Sequence, residues 1–333
     1  MNTYPPEWDT MEEEQPVIEA EYPPPSRRQA PPPRSRQAPP GRGGGKGLSV
    51  LALIVSVLAL ILAGTALFLT LRPGPEPEEP PDVDVSEEEP VTFHFGDRVL
   101  TPLEGMPLNP YDRSAFSLDD KGRVTYEKDG RRARTGVDVS THQQEIDWQA
   151  VAADGIDFAI LRLGYRGYTE GGIFPDQYFE QNLSGALAAG LDVGVYFFSQ
   201  AITSEEAKEE AEFVLRALEG YEIAYPVTFD WEVISPGNNA RTDSMDNDTL
   251  GRCAAAFCET IREAGYQPAV YFNQTLGYLR YDLRELTDYT LWLAEYDTKP
   301  DFYYHFDLWQ YTHTGRVAGI EGDVDLDLDL RPE

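Results

Sequence analysis

The amino-acid sequence predicts an α/β fold in which a parallel sheet closes into a barrel. From residue 136 onward, short apolar runs rich in β-branched and aromatic residues alternate with helical patterns, which indicates parallel strands joined by helices. Eight such runs occur, the number that closes a barrel of this kind. An open, doubly wound sheet is the alternative, but no Gly-x-Gly-x-x-Gly sequence opens a helix after one of the runs.

The predicted strands and helices follow one another in a regular order. The eight strands are expected at residues 136–139, 158–163, 193–198, 227–231, 268–272, 291–294, 306–310 and 324–328. The helices are expected at residues 148–153, 177–189, 204–218, 246–264 and, as a short element, near 275–279. The helices are therefore concentrated in the first five units of the barrel.

Three segments of different composition begin the chain. Residues 1–46 are rich in proline and arginine and lack apolar periodicity, so we expect a disordered tail. Residues 47–72 form an apolar segment that is uncharged up to Leu71, and its helical length of roughly 36 Å is enough to cross a bilayer. Residues 73–90 are acidic and rich in proline, which predicts an extended stalk.

The charges on either side of the apolar segment predict its orientation in the membrane. Arginine and lysine residues precede the segment, and a run of aspartate and glutamate residues follows it. By the positive-inside rule, the N-terminus is then cytoplasmic and everything after Arg72 is outside the cell. We therefore expect a single-pass membrane protein that carries an extracellular domain.

Residues 91–135 carry short β-like pieces and turn-forming residues. Leu118 to Gly122 contains a turn signal and precedes the β-prone run from Arg123 to Glu127, which predicts a hairpin appended before the main domain at residues 136–333. The sequence of this extension indicates no function, so a flap that packs on the main domain is the default expectation.

The composition excludes several kinds of partner and site. The formal net charge of −31 argues against nucleic acid, because a phosphate backbone favours clustered lysine and arginine. Cys253 and Cys258 lie about 140° apart around a predicted helix, so a disulfide between them is sterically poor. The four histidines have no metal-ligand spacing, and we expect neither a metal nor another cofactor.

The stretch from Pro226 to Glu232 ends in two carboxylates separated by one tryptophan. On a strand, Asp230 and Glu232 point to the same face, roughly 6.6 Å apart along the backbone, while Trp231 points to the other face. Two carboxylates held close with little water do not both ionise easily, so one pKa rises and leaves a proton donor near neutral pH. Such a pair suits cleavage of a glycosidic bond. The alternative is that one acid caps the next helix and the other lies in solvent.

Two further acids are expected beside the same pocket. In a parallel barrel, reactive groups gather where the strands deliver their carboxyl-terminal residues. Asp138 lies on the first predicted strand and Asp325 on the eighth, and these two strands become neighbours when the barrel closes. Asp327 and Asp329 alternate with Asp325, but we expect them deeper or beyond the strand end and give them little weight.

Aromatic residues recur at the same strand ends. Their faces pack well against the apolar faces of sugar rings, while acids and glutamine can hydrogen-bond to sugar hydroxyls. Each aromatic residue taken singly is more readily a core residue, but their recurrence next to acids favours a carbohydrate groove. The expected substrate-binding residues are Tyr165, Tyr196, Phe198, Tyr271, Trp292 and Gln310.

Several motifs between about residues 136 and 330 together resemble a known family. They are Gly136-Val137-Asp138-Val139-Ser140 with His142-Gln143 and Ile146-Asp147-Trp148, Phe158-Ala159-Ile160-Leu161-Arg162-Leu163-Gly164-Tyr165, Gly194-Val195-Tyr196-Phe197-Phe198, Asp230-Trp231-Glu232, Trp292-Leu293-Ala294, Leu308-Trp309-Gln310-Tyr311 and Val324-Asp325. In this order they resemble glycoside hydrolase family 25, the Chalaropsis-type lysozymes. One departure is Gln144, where the family usually has glycine after His-Gln.

The resemblance implies both a fold and an activity. The fold is a modified (β/α)5(β)3 barrel, in which five β/α units precede three strands. The activity is cleavage of the β-1,4 bond from N-acetylmuramic acid to N-acetylglucosamine in peptidoglycan glycan strands. Glu232 matches the general acid of the family, Asp230 the neighbouring carboxylate, and Asp138 and Asp325 the supporting acids.

Two alternatives remain open at this point. The domain could be a catalytically silent module that binds wall glycan, although a binding groove needs no proton donor with a raised pKa. It could also be another barrel glycosidase, such as a chitinase. His142 could act as a base or a metal ligand, but a structural hydrogen bond is the simpler expectation. We expect the catalytic domain to be monomeric. We also expect it to act in wall growth or turnover, because the predicted anchor keeps it on the producing cell.

Overall fold

The computed structural model describes residues 91–234 and 238–331. The strands in these residues are β1 (Phe93–Phe95), β2 (Arg98–Leu100), β3 (Phe116–Leu118), β4 (Val124–Lys128), β5 (Arg131–Arg132), β6 (Arg134–Val139), β7 (Phe158–Arg166), β8 (Ile173–Pro175), β9 (Asp192–Ser199), β10 (Val227–Trp231), β11 (Pro268–Asn273), β12 (Thr290–Ala294), β13 (Leu308–Gly315) and β14 (Val324–Asp329). The α-helices are α1 (Trp148–Ala153), α2 (Phe179–Ala188), α3 (Ser204–Ala217), α4 (Asn247–Glu263) and α5 (Gln274–Leu279).

Eight of the strands close into a barrel. Parallel pairing begins between β6 and β7 and continues in order through β9, β10, β11 and β12 to β13. β14 then closes the barrel, because it pairs with both β13 and β6. The helices follow the first five barrel strands, so the predicted barrel of five β/α units and three further strands is confirmed.

The direction of the last strand departs from the expected parallel sheet. β14 is antiparallel to both of its neighbours, β13 and β6. Only residues 316–323 connect β13 to β14, and they include no helix. A parallel return needs a crossover of a dozen or more residues, so this short link permits only the antiparallel direction. β14 consequently brings its N-terminal residues to the end of the barrel where the parallel strands finish.

Side chains along the barrel strands alternate between an interior core and an outer core. The interior core contains Phe158, Ile160, Tyr196, Tyr225, Tyr271, Trp292, Ala294 and Leu308. On β10, Phe229 points outward and packs its ring 5.5 Å from that of Phe257 on α4. Trp231 is also on the outer side, where the Arg280 guanidinium lies 5.2 Å from the centre of its ring. Asp230, between them, therefore faces the interior.

Four of the helices begin at a side chain that accepts a hydrogen bond from the first turn. The capping residues are Asp147 before α1, Thr203 before α3, Asp246 before α4 and Asn273 before α5. Each satisfies a backbone N–H that has no partner within its own helix. These caps fix where each strand-to-helix connection ends, and they explain why the predicted starts of α3 and α4 agree with the structure to within one residue.

The residues before the barrel form two small antiparallel sheets. β1 pairs with β2, and β3 pairs with β4 so that Phe116 lies opposite Tyr126. The second sheet packs on the barrel, where the ring of Phe116 meets that of Trp309 edge-on at 5.4 Å. The predicted hairpin therefore corresponds to β3 and β4, and β1 and β2 form a further hairpin that the sequence did not indicate.

The predicted tail, membrane span and stalk, at residues 1–46, 47–72 and 73–90, lie outside the described residues. Within residues 91–234 and 238–331, no helix is long and apolar enough to cross a membrane. Cys253 and Cys258 are both buried on α4 and form no disulfide, as predicted.

Candidate active site

The parallel strands finish at a cavity of about 480 Å³ that opens at one end of the barrel. All four predicted acids, Asp138, Asp230, Glu232 and Asp325, line this cavity. They come from β6, from the end of β10 and from β14, so barrel closure brings together residues that are far apart in the sequence. The cavity is therefore the candidate active site.

Asp230 and Glu232 reach the cavity in different ways. Asp230 is an inward-facing residue of β10, whereas Glu232 is the first residue after that strand. The main chain at Glu232 is held by Gln200, whose Nε2 donates to the Glu232 carbonyl oxygen at 3.1 Å. Gln200 is itself fully buried and its Oε1 accepts a hydrogen bond from the Thr242 hydroxyl at 2.8 Å. This buried amide fixes the point where the chain leaves β10.

Burial raises the pKa values of both carboxyls. Burial raises the pKa of Glu232 to about 7, and the nearby charge of Asp138 contributes. The pKa of Asp230 is raised well above its ordinary value by burial and by the charges of Glu232 and Asp138, and Arg162 opposes this shift. Because the two carboxyls titrate together, the pair retains a proton near neutral pH. The site thus contains a proton donor beside a second acid.

Asp138 and Asp325 lie opposite each other across the strand pair that closes the barrel. Gln310 on β13 donates from Nε2 to Asp138 Oδ2 at 2.8 Å. The other end of the same amide, Gln310 Oε1, accepts from the Tyr271 hydroxyl at 2.9 Å and from the Tyr296 hydroxyl at 3.1 Å. Burial raises the pKa of Asp138 to about 6, although the hydrogen bond from Gln310 opposes the shift.

Asp327 lies beneath the acids that line the cavity. It lies fully buried on β14, below Asp325, and its Oδ1 accepts from the Trp292 indole nitrogen at 2.9 Å. Burial and the charges of Asp138 and Asp325 raise the pKa of Asp327. Asp327 therefore lies deeper than Asp325, as its place on the strand predicted, and it does not line the cavity. Asp329 does lie away from the site, where it pairs with Arg331 at 2.8 Å.

The predicted substrate-binding residues fall into two groups. Tyr196, Tyr271, Trp292 and Gln310 line the cavity. Tyr165 and Phe198 do not line it, and they pack instead in a neighbouring cluster with Ile234, Ala240 and Tyr168. Tyr165 follows its expected strand and Phe198 ends its own, but both side chains pack in this cluster and away from the cavity.

Further residues line the cavity that sequence reasoning did not select, namely Glu295, Tyr296 and His313. Glu295 directly follows β12, and its carboxylate oxygens accept from the backbone N–H groups of Asp301 at 2.7 Å and Phe302 at 3.1 Å. Its position after a strand end was the signal that could have identified it. His142 also lines the cavity. In the described part of the chain, no group of three or more His, Cys, Asp or Glu side chains is arranged to hold a metal ion.

A barrel whose strand ends surround a cleft with interacting carboxyls and aromatic walls defines the class of glycoside hydrolases. Residues 137–320 match the model of glycosyl hydrolases family 25. The match covers more than half of the chain, and the chain belongs to that family.

Named proteins are similar to this chain over different lengths. Lysozyme M1 of Streptomyces globisporus is 27% identical over 287 residues, which cover 82% of this chain and 86% of that protein. The autolytic lysozyme of Clostridium acetobutylicum is 27% identical over 193 residues, and this chain spans only 54% of its length. A family 25 glycosyl hydrolase from Bacillus anthracis shares the fold, with a TM-score of 0.52 and 24% identity over 63% of this chain and 94% of that one.

Proposed function

We propose that the chain is a peptidoglycan hydrolase that cleaves the β-1,4 bond between N-acetylmuramic acid and N-acetylglucosamine. The observation that carries the proposal is the placement of Asp230 and Glu232 together in the cavity, with pKa values raised by burial. Two relatives of the chain are named lysozymes, which supports this substrate over other glycans.

Glu232 acts as the general acid in this proposal. Its raised pKa keeps it protonated in the cleft, so it can donate a proton to the glycosidic oxygen as the bond to the leaving sugar breaks. The carboxylate that remains then accepts a proton from the attacking water. Asp138, whose pKa is raised only to about 6, supplies negative charge beside the positive charge that develops on the sugar ring, and Asp230 places a second carboxyl next to Glu232. The aromatic residues of the cavity, Tyr196 and Trp292 among them, pack against the sugars.

Mass spectrometry of the sugar ends released from purified peptidoglycan tests this activity. We expect the full-length protein to produce new reducing ends of N-acetylmuramic acid and to leave chitin nearly untouched. Reducing ends of N-acetylglucosamine, or efficient release of chitin fragments, would contradict the bond assignment. Glycan binding without any cleavage would instead support a silent binding module.

We also propose that residues 47–72 anchor the protein in the cell membrane and that the barrel lies outside the cell. The apolar length of this segment and the positive charge before it support the proposal. We expect the protein to remain with membranes after an alkaline wash, and protease added to wall-free cells to remove the barrel while an N-terminal tag survives. Recovery of most of the protein from the culture medium would contradict the anchor.

A further inference from the structure

A second cavity, of about 430 Å³, lies beside the candidate active site and has aromatic walls. We call it the aromatic groove, and its rings are Phe93 and Phe95 from β1, Tyr278 from α5, and Tyr303. The rings of Phe93 and Tyr303 stack with centroids 4.3 Å apart, and Phe95 lies 4.8 Å from Tyr278. All four side chains are only partly buried, unlike the rings of the barrel core.

The aromatic groove adjoins the active-site cavity directly. Gln274, Thr275 and Asp301 line both cavities. Gln274 Nε2 donates to Asp301 Oδ1 at 2.7 Å, so an amide and a carboxylate form a polar boundary between the two. A chain of sugars that occupies the first cavity would meet hydrogen-bonding groups here and exposed ring faces beyond them.

The extension before the barrel builds one wall of the groove and is fastened in place. The Leu103 N–H donates to the Tyr304 hydroxyl at 2.8 Å. Asn109 donates from its backbone to the Tyr303 carbonyl at 3.1 Å and from Nδ2 to the Phe302 carbonyl at 3.0 Å. These bonds join the extension to the loop that carries Asp301. The wall that Phe93 and Phe95 supply lies outside the residues that match the family.

We propose that the aromatic groove binds the sugar residues of the glycan strand that extend beyond the bond to be cut. This inference rests on the proposed function, which requires a polymeric substrate. Partly exposed rings offer flat apolar faces, and Gln274 and Asp301 offer polar groups, as sugar rings require. The described residues that line the groove include Asp301 and His94 but no lysine or arginine, so the carboxylates of a peptide stem would find no permanently charged cation there.

Phe95→Ala in the full-length protein tests the proposal, and Val99→Ala is the matched control. Val99 lies on the same hairpin, is 59% exposed and does not line the groove. The substrates are long glycan strands stripped of peptide, the same strands with peptide, and a peptide-free tetrasaccharide. We expect Phe95→Ala to raise KM about tenfold for both long substrates, because it removes apolar contact, and to leave kcat/KM for the tetrasaccharide unchanged. We expect Val99→Ala to leave all three values unchanged.

Several outcomes would overturn the proposal. An equal effect of Phe95→Ala on the tetrasaccharide and the long strands, or no effect on either, would remove the groove from glycan binding. An effect that disappears once the peptides are removed would assign the groove to the peptide stem. If the wild-type protein cleaves none of the substrates, the proposed function fails by itself. Co-sedimentation of the peptide-free long strands with wild-type and Phe95→Ala protein then still tests the groove, and equal binding would overturn it.

Discussion

Replacing Glu232 with glutamine should lower kcat on purified peptidoglycan roughly 10²- to 10⁴-fold, the usual contribution of a general acid. Glutamine keeps the size of the side chain but has no proton to transfer to the glycosidic oxygen. Since the change also removes a buried group whose charged form is disfavoured, we expect folding to be preserved. The measurements are the initial rate of reducing-end release, the melting temperature and the binding of intact glycan strands.

Glu295→Gln is the matched control for this experiment. Glu295 lines the same cavity, and burial raises its pKa to about 8. Its carboxyl oxygens, however, accept hydrogen bonds from the backbone N–H groups of Asp301 and Phe302, so Glu295 holds the loop that contains these residues. We expect a decrease in kcat of less than tenfold. If Glu232→Gln keeps the wild-type rate, or Glu295→Gln loses as much as Glu232→Gln, Glu232 is not the proton donor.

Asp138→Asn should cause the second large loss, with kcat/KM lowered roughly 10²- to 10³-fold, as expected when one preorganised charge is removed. The pH dependence gives a more specific readout. In the wild-type protein, kcat/KM should rise as pH increases through about 6, where Asp138 ionises, and fall above about 7, where Glu232 loses its proton. Activity should therefore be highest between these two values.

The Asp138→Asn variant should change both sides of this profile. The rise near pH 6 should disappear, because asparagine does not ionise. The fall should move to lower pH, because the charge of Asp138 helps to raise the pKa of Glu232. The check is a profile of kcat/KM from pH 4 to pH 9 for both proteins. An unchanged profile in the variant would mean that other groups govern the pH dependence.

The barrel and its paired acids could be predicted because their signals are local. Each strand is a short apolar run, and the alternation of side chains along β10 places Asp230 inside and Trp231 outside. The direction of β14 has no signal within the strand itself. The direction of β14 depends on the length of the link between β13 and β14. We had expected this strand to run parallel to its neighbours.

The partners of a side chain could not be predicted from its strand position alone. Asp327 lies deeper than Asp325, as expected, but its contact with Trp292, a residue 35 positions away, has no local signal in the sequence. Tyr165 on β7 and Phe198 on β9 were expected to bind substrate, but they pack with Ile234, Ala240 and Tyr168 instead. The sequence also did not predict the groove wall formed by β1. The extension that carries β1 is held on the barrel by long-range contacts, such as the hydrogen bond from Leu103 to Tyr304, 201 positions away. Such contacts exist only after the chain has folded.

Closure of the barrel by β14 has a consequence for when the site is assembled during synthesis of the chain. The bond between Gln310 and Asp138 joins residues 172 positions apart, and β14 lies further still along the chain. A chain that has emerged only as far as β12 holds Asp138, Asp230 and Glu232 but lacks the strands that enclose them. Contacts of such long range form late in folding. The complete site therefore exists only after β13 and β14 have been synthesised and have joined the barrel.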